Sequence, residues 1–289
     1  MKAIKRILAT TDFSTLGNAA VERALLLATR DKAEVRAVHA LPEPGLFTAV
    51  LGSGSDLHEQ MRSAAQEDLG NLIERGVGQD TGAHTQVVEG TVHEVVARAA
   101  ADFQPDLIVI GAHARGTVKQ FLLGGTASRI LERATCPVLV IRQPVRADYS
   151  RTLVAVDLEP DSPRVVANAL VLARFGRTTV VHAYQAPFNA KLRYRGIANE
   201  DVERMMANAA DMAKARMAAL LAAPELAGAN LETRIVTGHP NPVLFDLASE
   251  LEVVLIVAGR HKGTAVEETI MGSISRLLAY HAPCDVLVG

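Results

Sequence analysis

"DLIVIGAHARGTVKQFLLGGTASRILERATCPVLVI" runs from Asp106 to Ile141. Its two apolar runs, Leu107–Ile110 and Val138–Ile141, show no apolar/polar alternation, so both faces of each strand are buried. That is the pattern of a parallel sheet covered by helices. Between them lie a glycine-bearing loop and a helix-like segment, "TASRILERA". Glycines at a strand-to-helix crossing mark the place where such a sheet handles phosphate. The same order recurs at the end of the chain, as "LIVAGRHKGTAVEETIMGSISRLLAYHAPCDVLVG" (Leu255–Gly289).

Moving outward from this stretch, the whole chain duplicates. "RILATTD" (Arg6–Asp12) matches "RTLVAVD" (Arg151–Asp157). "ALLLA" (Ala24–Ala28) matches "ALVLA" (Ala169–Ala173), and "VHA" occurs at Val38–Ala40 and Val181–Ala183. The order is kept, and the offset moves only between 143 and 148. The two units, residues 1–146 and 147–289, join near the polar segment Arg142–Ser150. The first reads as strands near 4–11, 33–40, 84–89, 106–111 and 137–142, with helices near 17–30, 56–76, 91–103 and 126–134. The second repeats the strands near 151–157, 178–184, 231–237, 252–258 and 284–288. The expected fold is α/β: two tandem doubly wound parallel-sheet sandwiches, five-stranded each.

Composition narrows the function classes. Thirty basic and 32 acidic residues nearly cancel, which argues against nucleic acid or an anionic membrane as partner. Tryptophan is absent and aromatics are 4%, too few for base-stacking platforms. The apolar run at the start is broken by Thr10, Thr11 and Asp12, and no apolar stretch reaches a membrane span. Two cysteines, Cys136 and Cys284, occupy equivalent positions and read as core thiols. The expectation is a cytoplasmic protein.

In such sheets ligands sit beyond the carboxyl ends of the strands. Two features fall there in both units. One is an aspartate closing the first strand: Asp12, beside Thr11, and Asp157. The other is a glycine closing the fourth: Gly111 and Gly259. An acidic acceptor and a glycine turn at a helix start suit a polar base and a phosphate chain; the plainer reading of each aspartate is a helix cap. No Walker loop, dinucleotide fingerprint, zinc motif or nucleophile elbow is present.

At these residues the chain resembles the universal stress protein family in tandem form, over essentially its whole length. Family members that bind ATP carry G-x2-G-x9-G-[ST] after the fourth strand and a "CPVLVV"-like last strand. The resemblance implies an adenine contact near Asp12 and Asp157, Mg2+ accompanying the nucleotide, and pairing of the two units through their last strands as an internal pseudo-dimer. A further homodimer of two chains is compatible with it.

Both loops depart from that motif. The first unit reads Gly111, Ala114, Gly124, Gly125: the second glycine is alanine and the hydroxyl position is glycine, with Thr126 one residue out of register. The second reads Gly259, Lys262, Gly272, Ser273: the hydroxyl is kept, Ser275 follows, and lysine replaces the second glycine. A lost neutral hydrogen bond costs about 1 kcal/mol, whereas Lys262 either obstructs or offers an ammonium to a phosphate. The balance falls to the second unit for phosphate binding. His113 and His261 read as turn-filling, and His39 and His182 as structural. The connections Pro42–Asp56 and Gln185–Gly196 read as surface loops, and the Met-rich segment 202–221 as core. Three functions follow: a stress-response sensor that binds ATP or a related adenine nucleotide; a scaffold with degenerate pockets; and a nucleotidyl-transferring enzyme, for which only Glu267 and Glu268 speak.

Overall fold

The computed structural model describes residues 3–43, 55–76, 82–112, 123–184, 199–262 and 269–289. The first half runs β1 (Arg6–Thr10), α1 (Thr15–Asp31), β2 (Glu34–Leu41), α2 (Ser55–Gly76), β3 (Ala83–Glu89), α3 (Val92–Phe103), β4 (Leu107–Gly111), α4 (Gly125–Arg133) and β5 (Val138–Ile141). The second runs β6 (Arg151–Ala155), α5 (Ser162–Leu172), β7 (Arg177–Tyr184), α6 (Asn199–Leu221), β8 (Leu231–Thr237), α7 (Pro240–Glu250) and β9 (Leu255–Ala258). A two-residue ladder, β10 (His261–Lys262) with β11 (Thr269–Ile270), precedes α8 (Ser273–His281) and β12 (Asp285–Val288).

Each half is the expected five-stranded parallel sheet. The two do not stay separate. β5 pairs antiparallel with β12, Val140 opposite Val286 and Val138 opposite Val288. One ten-stranded sheet results, in the order β3-β2-β1-β4-β5-β12-β9-β6-β7-β8. Pairing through the last strands, implied by the family resemblance, is thus present within one chain.

The unbroken apolar runs now have their cause. Along β4, Leu107 and Val109 join one core while Ile108 and Ile110 join the other. Along β5, Leu139 and Ile141 face the first, Val138 and Val140 the second. The first core lies under α1, α2, α5 and α6, the second under α3, α4, α7 and α8, and each runs across both halves. The four strands at the junction are apolar apart from Asp285 at the start of β12, because helices cover both faces there.

Polar contacts lock the junction from both sides. Arg142, just past β5, donates to the carbonyls of Ala279 (2.7 Å) and Tyr280 (3.1 Å) at the end of α8. Arg260, just past β9, donates in return to Ala134 at the end of α4. Tyr280 donates its hydroxyl to Ser128 Oγ on α4 at 2.8 Å. On the other face Arg30 donates to the last carbonyls of α5, Val171 and Leu172, each at 2.7 Å. Cations at helix C-termini complement the helix dipole.

One expectation changes. The Met-rich helix α6 is only partly core: Met217 is buried, but Met205 and Met212 are exposed. The helix shows one narrow buried stripe, Val202, Ala213, Met217 and Leu220, and the rest faces out. Most of the two connections read as surface loops, 44–54 and 185–198, lies outside the described residues. Among the described residues no helix is long and apolar enough to cross a membrane. Cys136 is half-buried and Cys284 buried, and desolvation pushes their thiols up to about 11 and about 12. Thiols held protonated in this way are poor nucleophiles.

Asp285 is a buried carboxyl inside the junction strand, where the first half has Pro137. It accepts from the Tyr149 hydroxyl at 2.7 Å and from the Arg142 backbone N–H at 2.8 Å. Arg23 lies over the Tyr149 ring, 4.1 Å from its centroid. Burial nevertheless pushes the Asp285 carboxyl above the usual carboxylate range. The folded protein therefore keeps this proton to a higher pH than the unfolded chain does. The associated stability is complete below the ordinary carboxylate range and is lost as pH rises through the raised value. Asp285→Asn removes this contribution. Urea unfolding of both proteins across acid to neutral pH is expected to show wild type losing stability relative to the variant as pH rises; parallel curves would refute the assignment.

Candidate functional site

A cleft of about 670 Å³ opens at the carboxyl ends of β6, β7 and β9 in the second half. Its volume falls within the range of small-molecule sites. One wall is the turn between β6 and α5. There Asp157 Oδ1 accepts from the Glu159 N–H and the Ser162 hydroxyl, each at 3.0 Å. The helix cap is Asp161, not Asp157. Asp157 thus shapes the turn from outside the helix, with Leu158 held in the left-handed region at φ 62°. The floor carries His182, whose Nδ1 lies 2.9 Å from the Val156 carbonyl. A carbonyl only accepts, so Nδ1 carries the proton, and the ring is fixed against the end of β6.

The opposite wall is Gly259–Arg260 and the start of α8. Gly272, Ile274 and Ser275 line the cleft, and Gly272 caps α8 without any side-chain hydrogen bond. Among the described residues the first-turn N–H groups of α8 thus have no side-chain cap, and a helix start of this kind favours anions. Ser273 stands exposed at the first helical position. Ser275 is buried, and its hydroxyl donates to the Gly259 carbonyl, so that proton is already engaged. Lys262 lies on the short strand β10.

The glycines that end β4 and follow β9 also have packing neighbours. A Cβ on Gly111 would lie 2.8 Å from the Leu16 carbonyl carbon and 2.9 Å from the Gly17 nitrogen. A Cβ on Gly259 would lie 2.8 Å from Val165 Cγ2. Each strand end therefore approaches the first helix of its half; at Gly111 the neighbour is backbone and only glycine fits, whereas at Gly259 it is a side-chain methyl. Gly125 differs: a Cβ there would meet nothing within 4 Å. Its missing hydroxyl is a chemical loss without a steric cause.

In the first half Asp12 Oδ1 accepts from the Ser14 N–H at 3.0 Å, and Ser14, not Asp12, caps α1. Thr11 is buried; its Oγ1 accepts from the Phe13 N–H and donates to Asn18 Oδ1. His39 repeats the His182 contact, bonding the Thr11 carbonyl at 2.8 Å. Here, however, the Phe13 ring lies against the imidazole, centroids 4.4 Å apart. Gly124 caps α4 without a side-chain bond, and Gly125 and Thr126 follow, exposed, in its first turn. Ala114 and His113 lie outside the described residues.

With this geometry in place, the sequence model of the universal stress protein family matches residues 3–142 and again 148–288. The chain belongs to that family. It is a tandem universal stress protein, each half matching the family separately. Universal stress protein MJ0531 of Methanocaldococcus jannaschii is 29% identical over 141 residues, covering 48% of this chain and 83% of its own length. MJ0577 of the same organism is 26% identical over 154 residues, covering 48% of this chain and 95% of its own. Among solved structures, protein PA1789 of Pseudomonas aeruginosa aligns with 99% of this chain and 92% of its own, at 19% identity and TM-score 0.67. A universal stress protein of Archaeoglobus fulgidus aligns with 98% and 97%, at 18% identity and TM-score 0.64. These two share the fold across both halves.

The sequence reading missed Arg260, which stands where the first half has Ala112. It also missed Phe13 as a lid on His39. The signal for Arg260 was available: a charged residue in the apolar approach to the loop of one copy only. Two substitutions separate packing glycines from open ones. Gly111→Ala is expected to cost about 1–3 kcal/mol through overpacking against α1. Gly125→Ser is expected to stay within about 0.5 kcal/mol of wild type. Chemical denaturation measures both; equal costs would mean that the backbone contact at Gly111 does not decide its identity.

Proposed function

We propose that the cleft of the second half binds an adenine nucleotide and that the chain works as a nucleotide-responsive regulator in the stress response. The observation that carries this reading is the start of α8. It presents N–H groups without a side-chain cap across a roomy cleft from the Asp157–His182 wall, and the exposed Ser273 opens the helix next to the lining residue Gly272. An anion belongs at the first wall and a polar base and sugar at the second. Gly259, Gly272 and Ser273 take the phosphates, with Lys262 supplying positive charge. Ser275 acts indirectly, through its bond to Gly259. Asp157 faces the ribose and base. Among the described residues no group of three or more His, Cys, Asp or Glu side chains is placed to hold a metal. Mg2+ would accordingly enter on the phosphate oxygens.

The first half supports a different role. Thr11, Asp12, Gly111, Ala114, Gly124, Gly125 and Thr126 are the counterparts of the second-half set. The Phe13 ring packs on His39 where the second half has Leu158, and Gly125 withholds the hydroxyl. We read this half as a scaffold that retains the fold.

Calorimetric titration with ATP tests both statements, after the nucleotide content of the purified protein has been determined by ion-exchange chromatography. The expected stoichiometry is one per chain. Ser273→Ala is expected to weaken binding about fivefold, the loss of one neutral hydrogen bond of about 1 kcal/mol. Two sites per chain would show that Phe13 does not close the first half. No carried nucleotide and no heat at millimolar ATP would sink the nucleotide reading.

A further inference from the structure

Arg260 is the least economical side chain in the described molecule. It is 8% exposed, and its Nε and Nη2 are buried without a hydrogen-bond partner. Among the described residues the guanidinium bonds through Nη1 alone, to the Ala134 carbonyl. Burial, with some repulsion from Arg164, lowers its pKa from the ordinary arginine range. A buried guanidinium held in this way is a poor stabilising device, because apolar residues of similar volume usually do as well or better. The fold does not need it either, since Ala112 fills the corresponding position in the first half.

Its placement is what distinguishes it. Arg260 lines the second-half cleft, and its N–H donates to the Gly289 carbonyl at 3.1 Å. Its side chain belongs to the first half, on Ala134, the C-cap of α4. The adjacent cleft residue, Gly259, is tied to α8 through Ser275. α8 in turn reaches α4 through the Tyr280 hydroxyl on Ser128, at 2.8 Å. The start of α8 faces the second-half cleft, while α4 begins at Gly124 and Gly125, the glycine turn of the first half. A ligand that moves the 259–260 segment must therefore move a guanidinium whose single bond holds the end of α4.

We propose that Arg260 couples occupancy of the second-half cleft to helix α4 of the first half. This inference rests on the nucleotide reading above and adds regulation to it: the binding half reports to the half that does not bind. Coupling of this kind is reciprocal, so Arg260 also lets α4 influence nucleotide affinity.

Hydrogen–deuterium exchange of the full chain tests the coupling, read on peptides covering residues 125–134 with and without ATP. In wild type, ATP is expected to change exchange across α4. In Arg260→Met, compared with wild type at the same fractional saturation with ATP as set by calorimetry, the α4 response is expected to be lost. Wild-type binding with no change in α4, or an unchanged α4 response in Arg260→Met, overturns the coupling and leaves the nucleotide reading standing. A second variant, Ala183→Trp, fills the cleft without any ligand and separates the two readings if ATP does not bind. It is expected to alter α4 exchange with Arg260 present and not in the double variant Ala183→Trp/Arg260→Met. The same α4 exchange in the presence and absence of Arg260 overturns the coupling independently of nucleotide. Circular dichroism confirms that each variant is folded.

Discussion

The antiparallel pairing of β5 with β12 is the contact on which the rest of the molecule depends. A five-stranded parallel unit ends in a strand whose outer edge carries unpaired N–H and C=O groups, next to two apolar faces. Here each unit satisfies the other. The backbone ladder runs from Val138–Val288 to Val140–Val286, and the cores on both faces continue across it. The cations Arg142, Arg260 and Arg30 then each close a helix end that the other half brings alongside. Removing the pairing would expose a strand edge and cut two cores at once.

Within that shared frame the halves have diverged in specific places. Leu158 and Phe13 occupy the same left-handed turn position, at φ 62° and 60°. The smaller side chain belongs to the half with the described cleft; the ring lies on the histidine of the other. Ser273 and Gly125 open the corresponding helices, one with a hydroxyl and one without. Pro137 and Asp285 begin the two last strands, and Ala112 and Arg260 follow the two loop glycines. The strands and cores remain nearly superimposable in character. The differences gather at the strand ends and the junction, where side chains decide chemistry rather than packing.

Much of the fold was legible because it is written in runs. "LIVI", "PVLV" and their repeats read directly as strands buried on both faces, and the ordered matches revealed the duplication. The merging of two sheets into one came from the family resemblance, since no residue of β5 or β12 announces an antiparallel partner. The site was legible in part. Asp157, Gly259, Gly272 and Ser275 line one cleft, and Ser273 stands exposed next to Gly272. Their roles were not legible, because role depends on neighbours distant in sequence. Gly111 is glycine because the backbone of Leu16 and Gly17 presses on it. The proton of Ser275 is spent on Gly259. The partial exposure of α6 escaped for the opposite reason: methionine and alanine suit a core and a surface equally, so composition alone did not choose.

The junction also has a kinetic meaning. β5 ends at Ile141 and β6 begins at Arg151, so a short tether holds the two units together. Their association is therefore unimolecular, governed by an effective concentration in the millimolar range for short linkers and indifferent to expression level. A separate dimer of identical units would exchange partners and dissociate on dilution. This chain does neither. Each half meets the same neighbour for the life of the molecule, so a change in one can be matched by a lasting change in the other. That permanence is what allows two copies of one unit to become two different parts.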